Sequence, residues 1–154
     1  MNEQSPLSHA DLYHTGIVVD DLASAQEGFG RLLGVTWLEG GGEVRIRSHD
    51  GVRTAKTAYA ISAEGPHHVE LVQSVPGTLY TVSGTGRAHH LGYWAEDVRA
   101  TSAALSRCGL PEVASITFGD DDGAPLCAYH QAGEAFYIVL VSTAMRRVLF
   151  RGKS

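Results

Sequence analysis

Cysteine is scarce in this chain. Cys108 and Cys127 are the only two. They are too few for a disulfide framework, and their spacing matches no zinc motif. Two incidental or buried thiols suit a reducing compartment. Basic surplus is absent too. The net charge is -5, where a nucleic-acid binder would carry a basic stripe. The one basic cluster, Arg146, Arg147, Arg151 and Lys153, reads as a solvated helix end or tail. No apolar run is long enough to cross a bilayer. Residues 1–9 are polar and have no apolar centre, so they do not read as a signal peptide. A cytoplasmic protein is expected, with neither nucleic acid nor membrane as a partner.

What remains is a chain of 154 residues, 44% of them apolar, enough for one domain or for two small halves around a shared core. Eighteen glycines punctuate it, many in turn-like clusters: Gly40-Gly41-Gly42, Gly84 with Gly86, and the Gly119 to Gly123 run with its three aspartates. Short strands joined by turns are expected. Eight histidines are numerous for this length.

Two of those histidines open an internal repeat. The segment His14-Thr15-Gly16-Ile17-Val18-Val19-Asp20-Asp21-Leu22 aligns without gaps with His90-Leu91-Gly92-Tyr93-Trp94-Ala95-Glu96-Asp97-Val98. Arg31 and Arg107 then match, and Gly34 and Gly109 fall close to register. Each copy reads the same way. An apolar strand ends at an acidic residue, and Asp21 or Asp97 caps the helix that follows. Leu22, Phe29, Leu32 and Leu33 form the apolar stripe of the first helix, and Val98, Leu105 and Cys108 that of the second. Gly34 stops one helix and the run Gly109-Leu110-Pro111 the other. Three strands follow in each copy: 43–48, 54–61 and 68–73 in the first, and 113–118, 126–131 and 136–142 in the second. The expected organisation is therefore a βαβββ module over 11–75, a linker over 76–86, a second βαβββ module over 87–143 and a C-terminal extension over 144–154. The fold class is α+β.

Alternate residues of a strand share a face. His14, Gly16 and Val18 point one way, as do His90, Gly92 and Trp94, and a twofold pairing of the halves brings the two histidines together. In the strand over 68–73, His68, Glu70 and Val72 share a face. Glu70 sits among aliphatic residues, where a bare carboxylate is costly and coordination removes the cost. Two imidazoles and a carboxylate are a usual set for a catalytic divalent metal with open positions. His14, Glu70 and His90 are the candidate ligands. His67 and His89 fall on the opposite faces and read as exposed or as supports for the ligands. His9, His49 and His130 have no repeat partner and no assigned role.

The segments Tyr13–Leu22 and His89–Val98, with the strands His68–Val72 and Tyr137–Val141, resemble the opening and closing strands of the vicinal oxygen chelate superfamily. That superfamily includes glyoxalase I, methylmalonyl-CoA epimerase, extradiol dioxygenases and bleomycin-resistance proteins. The resemblance spans the whole chain and is closest to the epimerase and glyoxalase branch. It implies two tandem modules whose mixed sheet curls around a cleft with a metal on its floor, held by His14, Glu70 and His90. The family's fourth ligand position, usually Glu in those enzymes and active there in proton transfer, is Val139 here.

The resemblance implies a metal-dependent lyase or isomerase that acts on a small carbonyl compound through an enediolate-type intermediate. The ion would be Zn, Ni, Co, Mn or Fe. His68 and Tyr137 lie on the same strand faces as the closing-strand ligand positions and are the candidate acid or base. Trp94 and Val139 are expected to line the substrate pocket, where Trp37, Tyr59, Tyr80 and Tyr129 could join them. Two other functions fit the same family: a small-molecule sequestering protein of the resistance type, and a non-haem iron dioxygenase, for which two histidines and a carboxylate are a suitable set. A homodimer is expected.

Overall fold

The computed structural model describes residues 5–81, 88–118 and 123–150. Gly84, Gly86, most of the Gly119 to Gly123 run, Arg151, Lys153 and part of the linker over 76–86 lie outside them.

The described residues form eight strands and three helices. Strand β1 (Leu12–Val19) leads into α1 (Leu22–Leu33), and β2 (Trp37–Ser48), β3 (Gly51–Ser62) and β4 (His68–Gln73) follow. The order then repeats: β5 (His90–Ala95), α2 (Val98–Arg107), β6 (Glu112–Phe118), β7 (Cys127–Gly133) and β8 (Phe136–Ser142). A 3₁₀ turn over Thr143–Met145 and the short α3 (Arg146–Leu149) end the described chain. None of the helices is long and apolar enough to cross a membrane.

The helix boundaries follow the capping residues. The Asp21 side chain accepts a hydrogen bond from the Ser24 amide, and Asp97 accepts one from the Ala100 amide. Gly34 ends α1 in the left-handed conformation, at φ 69°.

In each half the helix and hairpin return the chain so that the closing strand lies parallel to the opening one, β4 on β1 and β8 on β5. Two antiparallel seams, β1 on β5 and β2 on β6, then join the halves within one chain. The result is a closed barrel in the order β1-β4-β3-β2-β6-β7-β8-β5. This is the α+β arrangement of two modules expected from the repeat, with the mixed, curled sheet that the resemblance implies closed on itself.

The barrel interior is the main core. Val18, Val44, Ile46, Ile61, Val72, Ile116, Val139 and Val141 fill it. A second core lies between α2 and the outer face of the barrel, around Val98, Leu105, Ile138 and Leu140. Removing such a side chain from water stabilises the fold by roughly 2 kcal/mol.

Two local expectations change. The stripe on α1 is not buried: no residue of α1 is, and Leu32 and Leu33 are 80% and 47% exposed. The helix lies close to β2 at Gly30, where a Cβ would stand 3.2 Å from Trp37 Nε1, and the two leucines fall outside that contact. The run Gly40-Gly41-Gly42 is not a turn. It lies inside β2, paired with Tyr59, Ala58 and Thr57 of β3. A Cβ on Gly40 would stand 2.3 Å from the Tyr59 hydroxyl, so glycine there admits the phenol ring.

Candidate metal centre

The seam between β1 and β5 builds the site. Its register sets His14 opposite Gly92 and Gly16 opposite His90. Each glycine makes room for the other module's histidine. A Cβ on Gly92 would stand 1.9 Å from His14 Cε1, and one on Gly16 would stand 2.0 Å from His90 Nε2. No side chain larger than hydrogen fits at either place. This is the physical content of the repeated His-x-Gly: the two rings cross over one another's strand and meet inside the barrel.

Glu70 comes to the same point from β4, where it lies beside Gly16. The His14 and His90 Nε2 atoms are 3.1 Å apart. Glu70 Oε1 lies 3.1 Å from His90 Nε2 and 3.7 Å from His14 Nε2. Both rings are buried, and the carboxylate is nearly so.

His89 determines how the His90 ring is protonated. The Leu79 carbonyl can only accept, so His89 Nε2 donates to it, at 2.9 Å. Burial first, and the neighbouring His90 second, push His89 down to about 4, so its ring is neutral and Nδ1 is an acceptor. His90 Nδ1 then donates to His89 Nδ1 at 2.8 Å, and His90 Nε2 faces Glu70 and His14 at 3.1 Å. His14 is likewise neutral. Burial pushes it down to about 3, against the attraction of Glu70. Burial opposes ionisation of Glu70, but the imidazoles of His14 and His90 outweigh it and hold the carboxyl below its ordinary pKa.

These three donors fit a divalent ion. Two imidazole nitrogens and a carboxylate oxygen converge, a donor set that suits a divalent cation held among them. The His90 ring is oriented from behind, as metal-bound imidazoles usually are. The His14 ring is not: its Nδ1 is buried without a hydrogen-bond partner among the described residues.

A cavity of about 80 Å³ lies over the donors. His14, Glu70 and Val139 border it, with Tyr13, Thr57, Tyr59, Tyr80, Tyr129 and Cys127 among the polar or aromatic walls. Val139 stands beside Gly92 as Glu70 stands beside Gly16, so valine occupies the place that mirrors Glu70. Burial pushes Tyr59 up to about 12, with Glu70 adding to the effect, so its phenol keeps its proton.

The other expected residues lie outside the walls of this cavity. Trp94 stacks on Tyr13, with ring centroids 3.7 Å apart, and the Arg146 guanidinium covers it at 4.8 Å. An irregularity in the β1–β5 pairing between Leu12 and His14 accompanies the inward placement of Tyr13 beside the cavity, against the strand alternation. His68 Nδ1 is 2.7 Å from the Ser62 carbonyl, and its ring packs on Phe150. Tyr137 packs on His89. Trp37 donates its indole N–H to the Gln26 carbonyl. His67 is exposed and bonds Thr15, whereas His89 is buried and orients the His90 ring. Sequence reasoning missed Met145 and Leu149, which close the cavity from the C-terminal segment. Their spacing of four in a basic stretch was the available signal.

The family model of the glyoxalase/bleomycin resistance protein/dioxygenase superfamily matches residues 13–127. No curated protein matches the chain. Among solved structures, methylmalonyl-CoA epimerase from Mycobacterium tuberculosis is similar, at 20% identity over 92% of each chain with a TM-score of 0.56. A methylmalonyl-CoA epimerase variant from Streptomyces coelicolor, solved with 2-nitronate-propionyl-CoA, is 16% identical over 89% of this chain and 99% of its own, with a TM-score of 0.57. A hypothetical protein from Bacillus halodurans is 14% identical over 86% and 93%, with a TM-score of 0.53. At such identities the likeness is one of fold. The family match covers most of the chain, and this chain belongs to the glyoxalase/bleomycin resistance protein/dioxygenase superfamily.

Proposed function

We propose that the chain holds one divalent ion, of Zn, Ni, Co, Mn or Fe, through His14, Glu70 and His90, and acts on a small carbonyl compound as a lyase or isomerase. The observation that carries this reading is the convergence of three donor atoms from β1, β4 and β5 beside an internal cavity. When bound, such an ion supplies a Lewis acid for a carbonyl oxygen.

The chain's own groups divide the remaining work. His89 holds His90 in the ligating tautomer. Tyr59, protonated and at the cavity wall, can donate a hydrogen bond to an oxygen in the cavity. His68 and Tyr137 are proposed as further proton-handling groups, although neither lines the cavity in this structure. The test is solvent exchange. In D₂O, the metal-loaded protein should introduce deuterium at the acidic carbon of a 2-oxo-thioether, hydroxyketone or acyl thioester, and should do so more slowly in His68→Ala, Tyr137→Phe or Tyr59→Phe. Exchange at the rate of the metal-free protein across the panel would count against an enzyme of this class.

Val139 favours a second reading, a sequestering protein. With valine at the place that mirrors Glu70, the cavity wall holds a single carboxylate among the described residues, and that one is committed to the metal centre. Tight binding of a small ligand by the metal-loaded protein, with no exchange and no O₂ uptake, would select this reading. O₂ uptake with a catechol-like compound would instead select an iron dioxygenase.

A further inference from the structure

The cavity over the donors is too small for more than the head of a ligand, and it does not end blindly. Tyr59, Phe118, Met145 and Leu149 line both it and an open groove of about 700 Å³. One side of that groove is the Gly40-Gly41 stretch of β2, with the Tyr59 ring set over Gly40. The other is the C-terminal segment, including Val148, which is 54% exposed. Phe118, at the end of β6, is 38% exposed.

The charges are unevenly placed. No lysine, arginine or histidine among the described residues lines the groove, and its one ionisable acid among them is Glu39. Arginines 45, 47 and 99 surround a different pocket, which shares no lining residue with the groove or the cavity. Among the described residues, a phosphate-bearing ligand body would therefore meet a carboxylate and apolar walls, with no cation to replace its lost hydration. A flat apolar body would lie between the Tyr59 side of β2 and the C-terminal segment and cover Phe118 and Val148, now in contact with water.

We infer that the groove takes the flat, uncharged, apolar body of a ligand whose oxygen-bearing head enters the cavity at His14, Glu70 and His90, and that it discriminates against phosphate-bearing bodies such as coenzyme A thioesters. The placement of the head rests on the metal reading above. The placement of the body rests on the groove alone.

The test uses one head with a graded body. Acetohydroxamate, benzohydroxamate and biphenyl-4-hydroxamate are titrated calorimetrically into zinc-loaded protein, together with a biphenyl hydroxamate bearing a 4′-phosphonate. Affinity should rise by at least about tenfold from the methyl to the biphenyl compound, as burial of an aromatic body requires. The phosphonate should reverse most of that gain. Val148→Asp should remove it as well, with zinc content reporting an intact fold. Leu32→Asp, exposed on α1 and absent from the lining of the groove, should leave the series unchanged. Equal affinity for the methyl and biphenyl compounds, or a phosphonate that binds as tightly as the neutral biphenyl, would overturn the inference and leave the metal reading standing. If the protein takes up no zinc, the metal reading fails separately. Biphenyl-4-carboxamide then decides the groove: binding that Val148→Asp abolishes supports it, and no binding overturns it.

Discussion

His14 lies across the β1–β5 seam from Gly92, and its ring occupies the space that a Cβ on residue 92 would need. The same relation holds between His90 and Gly16. The two candidate ligands of the repeat are thus positioned by the glycines of the opposite copies. Gly16→Ala and Gly92→Ala should each displace a ring. Overpacking of this kind costs about 1–3 kcal/mol, and zinc retention should fall with it. Urea unfolding and elemental analysis of the two variants check this. Normal stability with normal zinc content would mean that the seam is in another register.

His89 orients His90 through its Nδ1, and Leu79 in turn orients His89. His89→Phe keeps a ring but leaves the His90 Nδ1–H without an acceptor. Zinc affinity, measured by chelator competition, should drop about 10- to 100-fold, as is usual when the partner behind a ligating imidazole is lost. His67→Phe, on the exposed face, should change it little.

Acid should destabilise the metal-free protein early. The His14 and His89 rings titrate near 6.5 when unfolded and at about 3 and about 4 in the fold, chiefly through burial. Between those values the unfolded chain binds more protons, so stability falls as pH is lowered from 6.5 towards 4. Glu70, whose carboxyl is also held low, adds to the loss in more acid solution. Melting temperature recorded against pH tests this. His89→Phe should show a shallower decline.

Val139 is 1% exposed and mirrors Glu70 across the pseudo-twofold arrangement. Val139→Glu should bind zinc more tightly, and more steeply with pH, because the added donor must ionise to coordinate. Without metal the same variant should lose stability, since a carboxylate is buried with no partner. Unchanged zinc affinity would show that position 139 does not serve the metal.

The thiols should differ in reactivity. Cys108 is exposed at the end of α2, whereas burial, with Glu70 adding to it, pushes the Cys127 thiol up to about 12. A native thiol titration should find one fast group, lost in Cys108→Ser, and two after unfolding.

Much of the site is legible in local sequence pattern. The paired His-x-Gly segments, the capping aspartates and the placement of Glu70 among aliphatics are local signals. Strand alternation turns them into a shared face, so His14, Glu70, His90 and Val139 can be named together. Other features lie beyond local pattern. Leu32 and Leu33 fit a helical stripe, but whether that stripe is covered depends on how α1 packs on β3 and β4. The irregularity near Tyr13 lies outside the period of two that assigns Trp94 to the cleft, and Tyr13 and Arg146 cover that indole. The glycine run in β2 has turn composition, yet the approach of Tyr59 makes it a strand. His89 has an outward position by alternation and a buried role by its contact with Leu79. The sequence by itself determined which residues recur and which share a strand face, because both depend on chain spacing alone. Only the tertiary structure decided which ring fills which glycine's space and what closes the barrel, because steric exclusion acts between strands that are distant in the chain.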